Sequence, residues 1–164
     1  MREGKRVPMV LIHSSGEKIL MKRTIVFAAV LAVVLSAAAF AQDFGAFTMD
    51  IPAGWSASTN GPTGIAAKDD KTASLSVTIV PAEGNTAETF ANAFAEEFKK
   101  SFASVAAPAA EDDGSYSWEM TTAQGVKSTA MLAVEDGNCK LVVMTGHETA
   151  GEEIAAMLES IKEK

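Results

Sequence analysis

Arginine disappears from the chain after Arg23, cysteine occurs once, at Cys139, and histidine occurs twice, at His13 and His147. Each scarcity excludes something. A single cysteine forbids an internal disulfide, so any fold must be held by packing. Cys139 lies on the same strand face as Leu141 and Val143 in "NCKLVV", which reads as a small buried apolar residue rather than a reactive thiol. One histidine and one cysteine beyond residue 41 cannot build a standard structural zinc site. His147-Glu148 opens like H-E-x-x-H, but position 151 is glycine, so no zinc-protease helix is present. "GVKST" lacks the Gly-Lys of a P-loop, and no G-x-S-x-G elbow occurs. The oxygen-rich stretches at Asp112, Asp113 and Ser115 and at Asp136 and Asn138 do not have EF-hand spacing. They read as Asp/Gly turns. No catalytic residue, metal ligand or cofactor site is expected.

Long apolar runs are also scarce, and the one present lies near the start. Met21–Gln42 reads "MKRTIVFAAVLAVVLSAAAFAQ". Lys22 and Arg23 supply a positive beginning, Ile25–Leu35 an uncharged apolar stretch, and Ala39-Phe40-Ala41 the small-x-small spacing of a signal-peptidase site before Gln42. Residues 21–41 are therefore read as a cleaved signal peptide. The apolar stretch Ile25–Ala41 has 17 residues, the short limit for a membrane span of roughly 17–25. No basic stop-transfer cluster follows it, and no cysteine marks the cut for lipid attachment. No stable membrane anchor is expected after cleavage. Residues 1–20 show neither a capped helix nor strand alternation, and they read as an upstream start assigned too early.

The remaining residues, 42–164, are the size of one domain with a real core. Of the 14 Lys/Arg and 21 Asp/Glu in the chain, six and two precede Gln42, which leaves 8 Lys, 19 acidic residues and a formal charge of −11. Such a surface repels nucleic acid and anionic lipid. Without arginine it also lacks the usual fork for phosphate or carboxylate recognition.

The pattern along 42–164 alternates between two periods. "AFTMDIPAGW" places Phe47, Met49 and Ile51 on one strand face, and Pro52-Ala53-Gly54 stops it. "STNGPTG" reads as a loop, "GIAAKD" as a short strand, and "ASLSVTIVP" as a strand with Leu75, Val77 and Ile79 inward. Phe90, Phe94, Phe98 and Phe102 then recur every four residues, a stripe roughly 120° wide on a helix. Asn85 with Glu88 forms a candidate capping box, with Thr86 an equal candidate cap. Lys99 and Lys100 suit the last turns of that helix. The stripe reads as core, covering a sheet. "SYSWEM", "VKSTAMLAV" and "CKLVVMT" give three more strands, the last two joined at Asp136-Gly137, a strong hairpin signal. Thr149 and Glu152 read as the capping box of a closing helix with Ile154, Met157, Leu158 and Ile161 on its apolar face. The expected fold class is α+β, in the order βββ-α-βββ-α, with one antiparallel sheet of five to six strands covered by helices.

This order, with a strand ending in "DIPAGW", the "SLSVTIVP" strand, the "AETFANAFAEEFKKSF" helix, a three-strand meander and a short closing helix, resembles the PsbP-like group over about residues 44–162. That group includes the extrinsic subunit of the photosynthetic water-oxidising complex, the Ran-binding Mog proteins and DcrB-type bacterial envelope proteins. The likeness rests on element order and on the turn at Pro52, Gly54 and Trp55. It implies an α/β/α sandwich and a non-enzymatic accessory or binding role, with no residue carried over as a contact. The missing lipobox cysteine departs from the lipoprotein members.

Taken together, the residues point to an exported, periplasmic or secreted domain without catalysis, whose partner is another envelope protein. The alternative is a small-ligand or divalent-cation binder using an apolar groove near Trp55 or the acidic turns. A hydrolase centred on His147 comes third.

Overall fold

The computed structural model describes residues 39–164. The stretch 1–20, and the leader at 21–41 as far as residue 38, lie outside the described residues. Eleven strands and two helices follow in chain order: β1 (Phe40–Asp43), β2 (Phe47–Ile51), β3 (Trp55–Asn60), β4 (Thr63–Lys68), β5 (Ser74–Pro81), α1 (Ala87–Phe98), β6 (Ser104–Val105), β7 (Ala109–Ala110), β8 (Tyr116–Thr121), β9 (Lys127–Glu135), β10 (Asn138–Thr145), α2 (His147–Glu159) and β11 (Lys162–Glu163). The class is α+β, and every pairing among the described residues is antiparallel. The main sheet runs β3-β4-β5-β10-β9-β8-β6, with β7 also on β8. A second sheet runs β1-β2-β11.

Alternation on β10 explains the layering. Val142 and Met144 pack with Leu75, Val77 and Ile79 of β5, with the small sheet and with Ile154 and Met157 of α2. Cys139, Leu141 and Val143 point the other way, into Trp118, Met120, Ala130 and Leu132, under Ala91 and Ala95 of α1. Successive strand residues face opposite sides of a sheet, so α1 covers one face and α2 with the small sheet covers the other. β10 packs on both sides because it lies between the halves, fully buried on the Cys139 face and partly buried at Val142 and Met144. The Asp136-Gly137 hairpin is formed, with positive φ at both residues (50° and 78°) and Asn138 opposite Glu135, the geometry of a two-residue primed turn.

Three expectations are corrected. The sheet is not a single one of five to six strands: the main sheet has eight, since β3, β6 and β7 join it, and β2 leaves it for a second sheet of three. Gly54 at φ +81° and the bond from the Trp55 amide to the Pro52 carbonyl, 3.2 Å, turn the chain into a new layer. "STNGPTG" is not wholly loop. β3 extends to Asn60, and only Gly61-Pro62 turn. As an edge strand β3 buries Trp55 alone, so no apolar alternation marks it. The closing helix stops at Glu159, and Lys162 and Glu163 pair with Thr48 and Phe47 of β2. Ile161, assigned to the helix face, still packs on the same core from the segment that follows.

The two sheets meet at Gly64. Phe44 and Phe47 stack with ring centroids 5.1 Å apart, and a Cβ on Gly64 would stand 2.6 Å from Phe44 and 2.7 Å from Phe47. Overpacking of a tight core costs about 1–3 kcal/mol. Gly64→Ala is expected to lower the unfolding free energy by about that amount in urea titration. Gly151→Ala in α2, where a Cβ meets nothing within 4 Å, should leave it unchanged or raise it by under about 1 kcal/mol.

Candidate functional site

The sequence brings several chemistry-bearing residues to one end of the main sheet. Register places Thr145 opposite Ser128 and Met120 opposite Ser128 on its other side, so β8, β9 and the end of β10 converge where α2 begins. Ser128, fully buried, shares a 2.8 Å hydrogen bond with Thr145 through their hydroxyls. Gly146 then turns the chain at φ +65°. Its amide donates to the Lys127 carbonyl at 3.1 Å.

The head of α2 differs from the expected capping box. The helix begins at His147, Gly146 is the N-cap, and no side chain caps it. Thr149 donates its hydroxyl to the Gly146 carbonyl at 3.0 Å instead of accepting from an amide. Ala150 breaks the helical path at φ −130°, ψ 24°. The expected cap at Thr149 is not used: β10 delivers the chain directly into a helical turn, which moves the N-cap three residues upstream to Gly146. At α1 the Thr86 alternative holds: its hydroxyl accepts from the Thr89 amide at 3.2 Å.

Two open depressions share His147 and Glu148. One, of about 450 Å³, is lined by Glu119, Met120, Thr121, Lys127, His147 and Glu148. The other, of about 540 Å³, follows the first turns of α2 to Glu153. Lys127 pairs with Glu148 at 3.3 Å, and Glu119 accepts from the Thr129 hydroxyl at 3.0 Å. His147 Nδ1 is buried and has no hydrogen-bond partner among the described residues. Among those residues no three His, Cys, Asp or Glu side chains stand together to hold a metal ion. No residue pattern could have flagged this depression, since Glu119 and Lys127 come to line it with His147 only through strand register.

Trp55 is 4% exposed and belongs to the core cluster that also holds Phe47, Ile51 and Ala66. Its indole nitrogen is buried without a partner. Neither depression described here is lined by Trp55. Cys139 is fully buried, and burial pushes its thiol above the ordinary value, so the side chain is neutral at physiological pH. The acidic turns at Asp113 and Asp136 stay apart from the α2 depressions. Asp113 accepts from the Ser115 hydroxyl and amide at 2.6 and 3.0 Å, a turn bonding to itself. Ala39 and Ala41 are exposed, and Gln42 is half-buried within β1.

The phenylalanine stripe packs against the core as expected, but not at its deepest positions. Ala91 and Ala95 take the fully buried positions of α1, while Phe90, Phe94, Phe98 and Phe102 pack beside them, each half-buried. Neighbouring rings lie 6.3, 6.3 and 5.7 Å apart, and Phe98 also meets Trp118 at 6.3 Å. The helix thus rests on its small residues and carries an aromatic ladder along its flank. The four-residue spacing revealed the ladder. The alanines between decided its depth.

No family model matches the chain, and no curated protein matches it. Solved structures do. The solution structure of cyanobacterial PsbP from Synechocystis is similar at TM-score 0.48 and 13% identity, over 78% of this chain and 94% of its own. A crystal structure from Bacteroides thetaiotaomicron is similar at TM-score 0.42 and 14% identity, over 77% of this chain. The chain spans about half of that second protein, 48%. No residue role passes from either.

Gly146 is pinned: a Cβ there would stand 2.1 Å from the Thr72 carbonyl oxygen. Gly146→Ala combines that clash with a left-handed backbone that costs an L-residue about 1–2 kcal/mol. It is expected to destabilise the domain by about 2–4 kcal/mol in chemical denaturation and to shift the His147 ring resonances.

The titration of surface aspartates sets a second expectation. Lys164 and the Gly45 amide hold Asp43 below the ordinary 3.8. Hydrogen bonds from Thr72 and Ser115 do the same for Asp70 and Asp113. Each is harder to protonate folded than unfolded, so its contribution is present above the ordinary value and lost as pH falls through the lower folded one. Lys68 and Lys140 are raised, by Glu153 and by Glu163 with Glu135, and their contributions fade only on the far alkaline side. The urea midpoint should stay level near neutrality and drop below about pH 4. A D43N/D70N/D113N variant should show a shallower acid limb.

Proposed function

We propose that the chain is an exported, non-catalytic accessory domain of the bacterial envelope that works by contact with another protein. The observation that carries this reading is the partly buried ladder of Phe90, Phe94 and Phe98 on α1, continued by Phe102 just beyond its end. Rings held in rigid register on a helix supply contact area at little entropic cost, and aromatic side chains dominate binding hot spots. The leader at 21–41 and the resemblance to PsbP-like and DcrB-like proteins support a periplasmic or secreted location and an accessory role. The acidic surface, at formal charge −11 beyond residue 41, favours a partner that is not itself strongly acidic.

The test places a photo-crosslinking residue at Phe94 of 42–164 in the native envelope. One discrete adduct is expected from Phe94 and none from the same probe at Thr59 on β3. Phe90→Ala should weaken the adduct by at least about tenfold, the effect of a hot-spot ring. Monomer alone at every growth condition would overturn the reading.

A further inference from the structure

We propose that the bare half of the main sheet beside α1 receives one helix of another protein, laid along Phe90 and Phe94 with an uncharged face turned to the sheet. The inference rests on the contact reading above and names its surface and the kind of partner. Leu141 and Val143 of β10 face α1, and register carries that face toward the β3 edge. Leu141 lies opposite Thr78 and Val143 opposite Ser76. Thr78 lies opposite Thr63, Ser76 opposite Ile65, and Ile65 opposite Ser58. Residues paired on neighbouring strands point to the same side. α1 lies against β8 and β9, while α2 packs on the other face. Among the described residues no helix therefore covers β3, β4 and β5 on the α1 side. Ser58 is exposed there, and Thr63, Ile65, Ser76 and Thr78 are half-buried.

The aromatic ladder walls this bare half. α1 follows the end of β5, where Pro81 lies opposite Asn138, and leads to β6, which pairs with Thr121 at the other end of the sheet. The helix thus runs in the direction of β10. A right-handed helix laid that way on Ala91 and Ala95 turns Phe90 and Phe94 toward β5. Val80, on the same side of β5, packs in one cluster with Ala87 and Phe90. The two rings stand 6.3 Å apart, close to the helical pitch of about 5.4 Å. Side chains four residues apart form the ridge that enters the groove of a second helix.

Size and charge define the occupant. Three strands at about 4.8 Å each make the bare half roughly 14 Å wide. The eight residues of β5, at about 3.4 Å each, make it roughly 27 Å long. One helix, about 10–12 Å across with its side chains, fills that width, and two do not fit. An extended strand laid on a sheet face finds no backbone partners there, whereas a helix meets its own. Residues 51–67 and 72–82 hold no charged side chain, although the domain beyond residue 41 carries a formal charge of −11. A charge laid on this floor would lose its hydration without meeting a counter-charge. The hydroxyls of Thr63 and Thr78 share a 2.7 Å hydrogen bond, which lowers the cost of covering them. The partner helix therefore turns apolar and small residues to the floor and to the rings, and keeps its charges on the outer side.

The experiment expresses the full chain in its native envelope with a photo-crosslinking residue at Phe94, Ser76 or Ser58, and maps each adduct by tandem mass spectrometry. All three positions should trap the same partner, at residues three or four apart within one segment. Ser58→Lys, which sets a charge on the exposed floor without touching the ladder, should lower the Phe94 adduct at least about tenfold, while Ser58→Thr leaves it unchanged. Equal urea midpoints for the two variants show that both fold. Should Ser58→Lys fail to fold, the Ser76 and Ser58 probes decide alone. An adduct from Phe94 with none from Ser76 and Ser58 would overturn the proposal and leave the contact reading intact. Attachment points two residues apart would mark a strand and overturn it. An adduct of twice the chain's own mass, or an internal link to residues 1–38, would overturn it by naming another occupant. No adduct from Phe94 would overturn the contact reading and this proposal with it.

Discussion

Two phenyl rings over a residue with no side chain hold the layers of this protein together. Phe44 and Phe47 lie on either side of the Gly45-Ala46 turn between β1 and β2, and they stack on each other and press on Gly64 of β4. The small sheet reaches the main sheet only because position 64 leaves that space. Phe47, Met49 and Ile51 then line up fully buried along β2, facing Leu75 and Val77 across the seam and Ile154 and Met157 of α2 beside them. A side chain at position 64 would open this seam along its length, since packed interiors transmit misfit instead of absorbing it.

The other face depends on a different economy of size. Alanine at positions 91 and 95 lets α1 lie close on Trp118, Met120, Ala130 and Leu132. The larger rings are displaced to the helix flank by that close approach. The same feature that tightens the core leaves the aromatic ladder partly uncovered. The two halves of the main sheet thus bury opposite faces, and β10 joins them because it is apolar on both sides.

Much of this was legible and some was not, for physical reasons. β5, β8, β9 and β10 were readable because each has a buried face, and Asp136-Gly137 set the register of the central hairpin. Both helices were readable from their apolar spacing. β3 was not, because an edge strand that buries only Trp55 leaves no alternation. β1 was hidden beneath the cleavage pattern of the leader, so one short segment answers to two readings. β6, β7 and β11 have two residues each and exist only through their partners. Which face each helix takes follows from the Pro52-Ala53-Gly54 corner and from strand order, neither of which has a periodic signature. At the α2 depression, His147 was visible as a lone residue, while its neighbours Glu119 and Lys127 depend on pairings between distant strands. The depth of the phenylalanines was set by the alanines beside them, and a four-residue spacing alone does not weigh one against the other.

The small sheet draws its strands from opposite ends of the domain. β2 is flanked by β1 on one side and by β11 on the other. The Asp50 amide donates to the Ser160 hydroxyl at 2.8 Å, and the Lys164 amide donates to the Ala46 carbonyl at 3.1 Å. Contacts of such long sequence separation are closed late and slowly. A chain emerging from its N-terminal end therefore carries β2 with one side unpaired until residues 160–164 have followed it. The third layer of the sandwich is a clasp that can be fastened only from the far end of the polypeptide.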